Sequence, residues 1–132
     1  MFGYNKVVCA NTGMLLTRVG VGLVLFVNGW NKVNDVAGTV GFFGEMNIPA
    51  VIAYLVIAIE VLGGLALILG LWTKWAGLLI AAVMLGAIIL VTGKMGFAGY
   101  QLNLVLLTSA LGVALGGPGT YTVHRLLGMK QE

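Results

Sequence analysis

Glu60 stands near the middle of an apolar stretch, Pro49 to Gly70, that is long enough to cross a bilayer. A carboxylate at that depth costs roughly 2.5 to 3.5 kcal/mol on insertion scales, so it has to face a partner or a cavity inside the protein. Arg18 is the other charge well inside an apolar segment, and the two are expected to form an intramembrane ion pair. As a structural contact, such a pair fixes helix register while its desolvation cost offsets its attraction. As chemistry, Arg18 donates hydrogen bonds to a carbonyl oxygen and Glu60 exchanges a proton, which is what a pocket for a quinone-like head group requires. A different reading has Glu60 alternate between a proton and a cationic substrate, as the carboxylate of a small proton-coupled transporter does. Arg18 opposes it, because a fixed cation nearby repels such a substrate and disfavours the proton-loaded state.

The composition puts these residues in a membrane. Of 132 residues, 60% are hydrophobic and 8% charged, whereas a soluble domain carries about 25% charge; the mean hydropathy is +1.05. The net charge of +3 arises from seven basic residues scattered along the chain, so no patch addresses nucleic acid. Cys9 is the single cysteine, which excludes an intrachain disulfide and an all-cysteine iron–sulfur cluster; it reads as an interfacial thiol. His124 is the single histidine and lies outside the apolar segments, so a haem held by two histidines within the bundle is excluded and no metal site is assigned. It reads as an isolated surface histidine, since the tail supplies no partner for a ligand or a base. A redox cofactor therefore has to be a bound small molecule or belong to another subunit.

Hydropathy divides the chain into one membrane domain, 1–132, with spans at about 12–32, 49–70, 74–92 and 100–116 and a tail at 117–132. In the first span Arg18, Gly22, Leu25, Gly29 and Lys32 fall on one stripe at helical spacing. Asn28, Asn31 and Lys32 at its end suit interfacial anchoring, and Asn28 and Lys32 are also within reach of a head-group pocket. The segment from Asn34 to Asn47 is too short to span and reads as an interfacial or partly re-entrant helix that lids one end of the bundle. Pro49 suits the first turn of the second span and Gly70 its end, while Gly63 and Gly64 leave room for a neighbouring helix beside Glu60. Thr73 is expected to cap the third span. The pairs Gly77/Ala81 and Ala82/Gly86 in that span are packing surfaces. In the fourth and shortest span, Gln101, Thr108 and Gly112 share a weakly polar stripe expected to look inward. The tail, with Tyr121, Val123, Leu126 and Leu127 beside Arg125 and Lys130, suits an anionic membrane surface.

Counting from the ends of these spans, Arg18 and Glu60 differ in depth by about 7 to 8 Å, which two long side chains can cover. Lys6, Lys74, Arg125 and Lys130 lie on one side of the membrane and Lys32 and Lys94 on the other, so both termini are expected in the cytoplasm. Short connections then make an up-down-up-down antiparallel bundle, all α-helical and integral to the membrane.

The runs Arg18-Val-Gly-Val-Gly22-Leu, Asn28-Gly-Trp-Asn-Lys32, Ile48-Pro49, Glu60-Val-Leu-Gly-Gly-Leu-Ala-Leu-Ile-Leu-Gly70-Leu-Trp-Thr-Lys74 and Gly117-Pro-Gly-Thr-Tyr121 resemble the DoxX family of small bacterial and archaeal membrane proteins. The resemblance runs from the first span to the tail. It implies a four-helix inner-membrane subunit associated with quinone-dependent oxidoreductases and with thiol and oxidative-stress complexes. By position, Arg18, Lys32 and Glu60 are the family-type polar residues, and Gly117, Pro118 and Gly119 match the terminal signature. Where the family's tail carries an acidic residue, this chain has Thr122-Val-His-Arg125. The expectation is thus a non-catalytic subunit holding quinone or lipid between its helices through Arg18, Glu60, Lys32, Asn28, Gln101 and Thr108, and serving a partner oxidoreductase. A proton-coupled transporter using Glu60 is the second reading and a structural scaffold the third; the glycine-rich faces would also serve a homo-oligomer.

Overall fold

The computed structural model describes residues 6–117, 119 and 122. In chain order the elements are α1 (Lys6–Val33), α2 (Val36–Glu45), α3 (Ala50–Leu69), α4 (Thr73–Leu90), a 3-10 turn (Thr92–Met95) and α5 (Phe97–Gly116), with no strand among the described residues. Helices α1, α3, α4 and α5 have the length and apolarity to cross a membrane, at 28, 20, 18 and 20 residues. At 1.5 Å per residue even the shortest reaches about 27 Å. The fold is the expected four-helix membrane bundle with a short helix after the first span.

Local chemistry sets the helix ends. The Asp35 side chain accepts a hydrogen bond from the Gly38 amide at 3.1 Å, capping α2. Pro49 precedes α3 in an extended conformation, and Gly70 ends that helix at φ +76°, where a side chain would be strained. Three boundaries differ from the sequence reading. Helix α1 is already formed at Lys6, the first described residue and well before residue 12, because Val7, Val8, Cys9 and Ala10 continue its apolar run. Thr73 is the first helical residue of α4, preceded by Trp72 at φ +46°, and its side chain makes no cap. Helix α5 starts at Phe97 and is longer than α4.

Glycines decide how closely the helices pack. A Cβ on Gly64 would stand 2.7 Å from the Gly22 carbonyl oxygen and 2.7 Å from the Phe26 amide nitrogen. On Gly29 it would stand 2.9 Å from the Val61 amide nitrogen. Helices α1 and α3 are therefore in backbone contact. The second close pair is α4 with α5, where a Cβ on Gly77 would lie 2.7 Å from the Ala110 carbonyl oxygen. Between the two pairs, Gly63 of α3 lies against Ile80 of α4, with 3.1 Å to an added Cβ. In a bilayer there is no hydrophobic force between helices, so such close approach supplies the dispersion contacts that hold them. Leu25, Leu67, Ile80, Leu106, Ala110 and Val113 fill the interior, while Leu16, Leu85 and Val105 project outward as lipid-facing residues do.

A Gly64→Val substitution should destabilise the bundle by about 1 to 3 kcal/mol through overpacking, whereas Gly86→Ala, where a Cβ meets nothing within 4 Å, should be neutral or stabilising. Unfolding by a denaturing detergent, followed by circular dichroism, checks the contrast.

Candidate functional site

The α1–α3 register brings Glu60 to Lys32. Gly29 lies against Glu60 and Val61, and Lys32 is one turn further along the same face of α1. Its Nζ donates to Glu60 Oε2 at 2.5 Å. The Glu60 side chain is 5% exposed and that of Lys32 29%. Glu60 sits about 15 Å from the first residue of α3 at 1.5 Å per residue, close to the middle of the span. Lys32 is at the end of α1 and reaches in toward it.

The expected Arg18–Glu60 pair is not formed. Arg18 belongs to the buried stripe of α1 as predicted, with Val21, Gly22, Leu25 and Gly29. It lies at the other end of α3, where its Nε donates to the Leu67 carbonyl at 2.7 Å. A Cβ on Gly70 would stand 3.1 Å from Arg18 Cζ and 2.7 Å from the Thr122 side chain. Arg18 and Glu60 are thus about eleven residues apart along the helix axis, roughly 16 Å at 1.5 Å per residue. The shorter sequence estimate assumed that the spans end flush. In fact Arg18 is level with Gly70, so α1 runs several turns beyond that end of α3, while at the other end α3 outruns α1 by about two turns and α2 packs there.

A cavity of about 640 Å³ opens between α2, α3 and α4, and both Lys32 and Glu60 line it. Phe42 and Phe43 of α2, Ile52 and Val56 of α3 and Val83 of α4 make its apolar walls. Helix α2, expected to lid one end of the bundle, forms one wall of this cavity through Gly38, Thr39, Phe42 and Phe43. Ala82 and Gly86, expected as packing residues, instead leave room for the cavity. The other expected pocket residues fall elsewhere. Asn28 is half-buried on α1 outside the cavity lining. Gln101, Thr108 and Gly112 are exposed on the outer face of α5. The Thr108 hydroxyl donates to its own helix, to the carbonyls of Leu104 at 3.0 Å and Val105 at 3.1 Å, so it needs no interior partner. His124, Arg125 and Lys130 lie outside the described residues.

Sequence reasoning missed Asn103. It lines the cavity, and its Nδ2 meets the Met84 sulfur at 3.5 Å, a weak acceptor that leaves a carboxamide with capacity for a ligand. The signal was present: Asn103, Leu106, Ala110 and Val113 lie on one helical face, and the last three are buried. The cavity therefore combines apolar walls, a cation paired to a carboxylate, an under-used amide, and the further polar residues Asp35, Thr39 and Thr92. That set fits a small, mostly apolar ring bearing hydrogen-bond acceptors.

Fold and site together define a multi-pass helical membrane protein with an intramembrane cavity built around one ion pair. The chain belongs to the DoxX family, whose profile matches residues 13–93. It is similar to the Bacillus subtilis (strain 168) protein named "Putative oxidoreductase CatD", with 40% identity over 106 residues, covering 80% of this chain and 79% of that protein. It is also similar to the Escherichia coli (strain K12) protein named "Inner membrane protein YqjF", with 31% identity over 124 residues, covering 91% and 95% of the two chains. No solved structure matches the chain.

Breaking the pair should cost unequal amounts from its two sides. Lys32→Gln strands a buried carboxylate and should cost on the order of 2 kcal/mol, less than for a wholly buried pair because the lysine is partly solvated. Glu60→Gln leaves a lysine that can reach water and should cost less. The double variant should recover most of the Lys32→Gln loss, as read by detergent-induced unfolding.

Proposed function

We propose that this chain is an inner-membrane subunit that binds a quinone in the Lys32–Glu60 cavity and serves a partner oxidoreductase. The observation that carries the reading is the placement of a cation–carboxylate pair in the wall of a largely apolar cavity at mid-span. The name of the Bacillus subtilis relative supports a redox context, and that of the Escherichia coli relative supports the inner membrane. A quinone, when bound, supplies a carrier of two electrons and two protons between enzymes. Lys32 uses one N–H on Glu60 and has others to donate to a carbonyl oxygen, so it both orients the ring and favours negative charge there. Asn103 offers a second donor from α5 across the cavity. Glu60, held beside the same site, can hold or release a proton. Apolar walls exclude water from the ring. Electrons come from the partner, since the described side chains of this site supply none.

With the termini in the cytoplasm, as the basic residues favour, the cavity extends from Glu60 at mid-span toward the outer face. The transporter reading meets the objection that Lys32, paired to Glu60, repels a cationic substrate from it.

Equilibrium dialysis of the detergent-solubilised protein against a tailless, fully ring-substituted quinone, which cannot add to the exposed Cys9, tests the reading. Wild type should bind; the stable Lys32→Gln/Glu60→Gln double variant should lose about tenfold or more, as expected for one charge-assisted hydrogen bond. Retention of full affinity by the double variant would mean that the pair is structural and the quinone reading is wrong.

A further inference from the structure

The polar cavity does not end at its own walls. A second, almost wholly apolar groove of about 490 Å³ follows the seam between α3 and α4. Ile59 and Leu79 line both, so cavity and groove adjoin. From there the groove runs between Leu62, Ala66 and Leu69 of α3 and Trp75 and Ala76 of α4, and it ends at Trp72. From Ile59 to Leu69 the seam is about 15 Å long at 1.5 Å per residue. The seam is open because its small residues face it: Gly63 and Ala66 on α3 and Ala76 on α4 give the floor no bulk. The far end carries interfacial chemistry, with Lys74 Nζ 5.2 Å from the Trp75 ring centroid and Trp72 exposed.

We propose that the α3–α4 seam holds the hydrocarbon tail of the molecule whose polar end sits at Lys32 and Glu60, so the ligand is a long-chain amphiphile and the tail is read by the protein. This rests on the quinone reading above and adds the tail to it. The contrast in polarity carries the assignment: the charged and amide groups line the cavity, with Glu60 at mid-span, whereas the adjoining groove presents almost only apolar surface until it reaches Trp72. A phospholipid anchored in the leaflet beside Trp72 would be oriented the other way, with its charged head at the surface and its chain ends at mid-span. An isoprenoid quinone, whose ring is uncharged, can place its head at mid-membrane.

The test compares binding of the tailless quinone with the same ring bearing one, two or three isoprenyl units, in wild type and in Ala66→Phe, which puts an aromatic ring into the groove. A tail analogue carrying a photoreactive diazirine then maps the path by mass spectrometry. In wild type, affinity relative to the tailless ring should rise severalfold with tail length after correction for micelle partitioning, and labels should fall on Leu62, Leu69 or Trp75. In Ala66→Phe, that ratio should flatten toward one. Binding of the tailless ring without tail dependence, or labels elsewhere, would overturn the tail assignment alone. Absence of binding by the tailless ring in wild type would overturn the quinone reading and this proposal with it. Labelling of the same residues by a photoreactive phospholipid that the tailed quinone does not displace would assign the groove to bulk lipid and overturn the proposal.

Discussion

Backbone contact between α1 and α3 is the constraint on which the remainder of the molecule depends. Gly22 lies on Gly64 and Gly29 on Val61, and neither contact admits a Cβ without movement of backbone atoms. Two such contacts on one face leave the helices a single axial register, because a slip by one turn would set side chains against main chain at both places. Register in turn selects the charge partners. Glu60 falls beside the last turns of α1 and meets Lys32, while Arg18 is carried to the Leu67 carbonyl and the turn at Gly70. The offset between the helix ends makes room for α2, and α2 forms one wall of the cavity. Glycine packing, ion pair and cavity wall are thus consequences of one another.

The bundle is not packed evenly. Within the α1–α3 and α4–α5 pairs, glycines and alanines let backbones touch; between the pairs, small residues leave cavity and groove instead. In water such a seam would collapse, because exposed apolar surface is costly. In a bilayer, hydrocarbon fills it at little cost, since lipid chains are as apolar as leucine. A membrane protein can therefore keep a permanent space between rigid modules and reserve affinity for the few polar groups inside it. Here the polar residues that line the cavity are the Lys32–Glu60 pair and Asn103, with Asp35, Thr39 and Thr92.

The two buried cations have different surroundings and so different capacities. Arg18 is 1% exposed and spends its Nε on a backbone carbonyl at the end of α3, beside Thr122, which is 4% exposed. That is how a guanidinium ties helix termini together: its fork of donors matches fixed acceptors. Lys32 is a point charge on a flexible stem, partly solvated, with donors to spare at the cavity.

Much of the architecture was legible in the residues themselves. Span count follows from hydropathy, because a bilayer forces backbone polar groups into continuous helices. The short helix before Pro49 follows from its length, and the buried face of α1 from the spacing of Arg18, Gly22, Leu25 and Gly29. Even the need for a partner at Glu60 is local, set by the cost of a carboxylate at that depth. The partner's identity is not local. Periodicity gives the direction in which a side chain points but not the axial offset between two helices, and Arg18 and Lys32 share one stripe. Only the Gly22–Gly64 and Gly29–Val61 contacts distinguish them. Helix α5 shows the same limit: Thr108 satisfies its hydroxyl on its own helix and can face outward, whereas Asn103 is turned inward with the face that packs. Sequence determined which residues are costly to bury and on which helix face they lie. Tertiary structure alone decided which of them meet, because close backbone contact sets the sliding position of one helix along another.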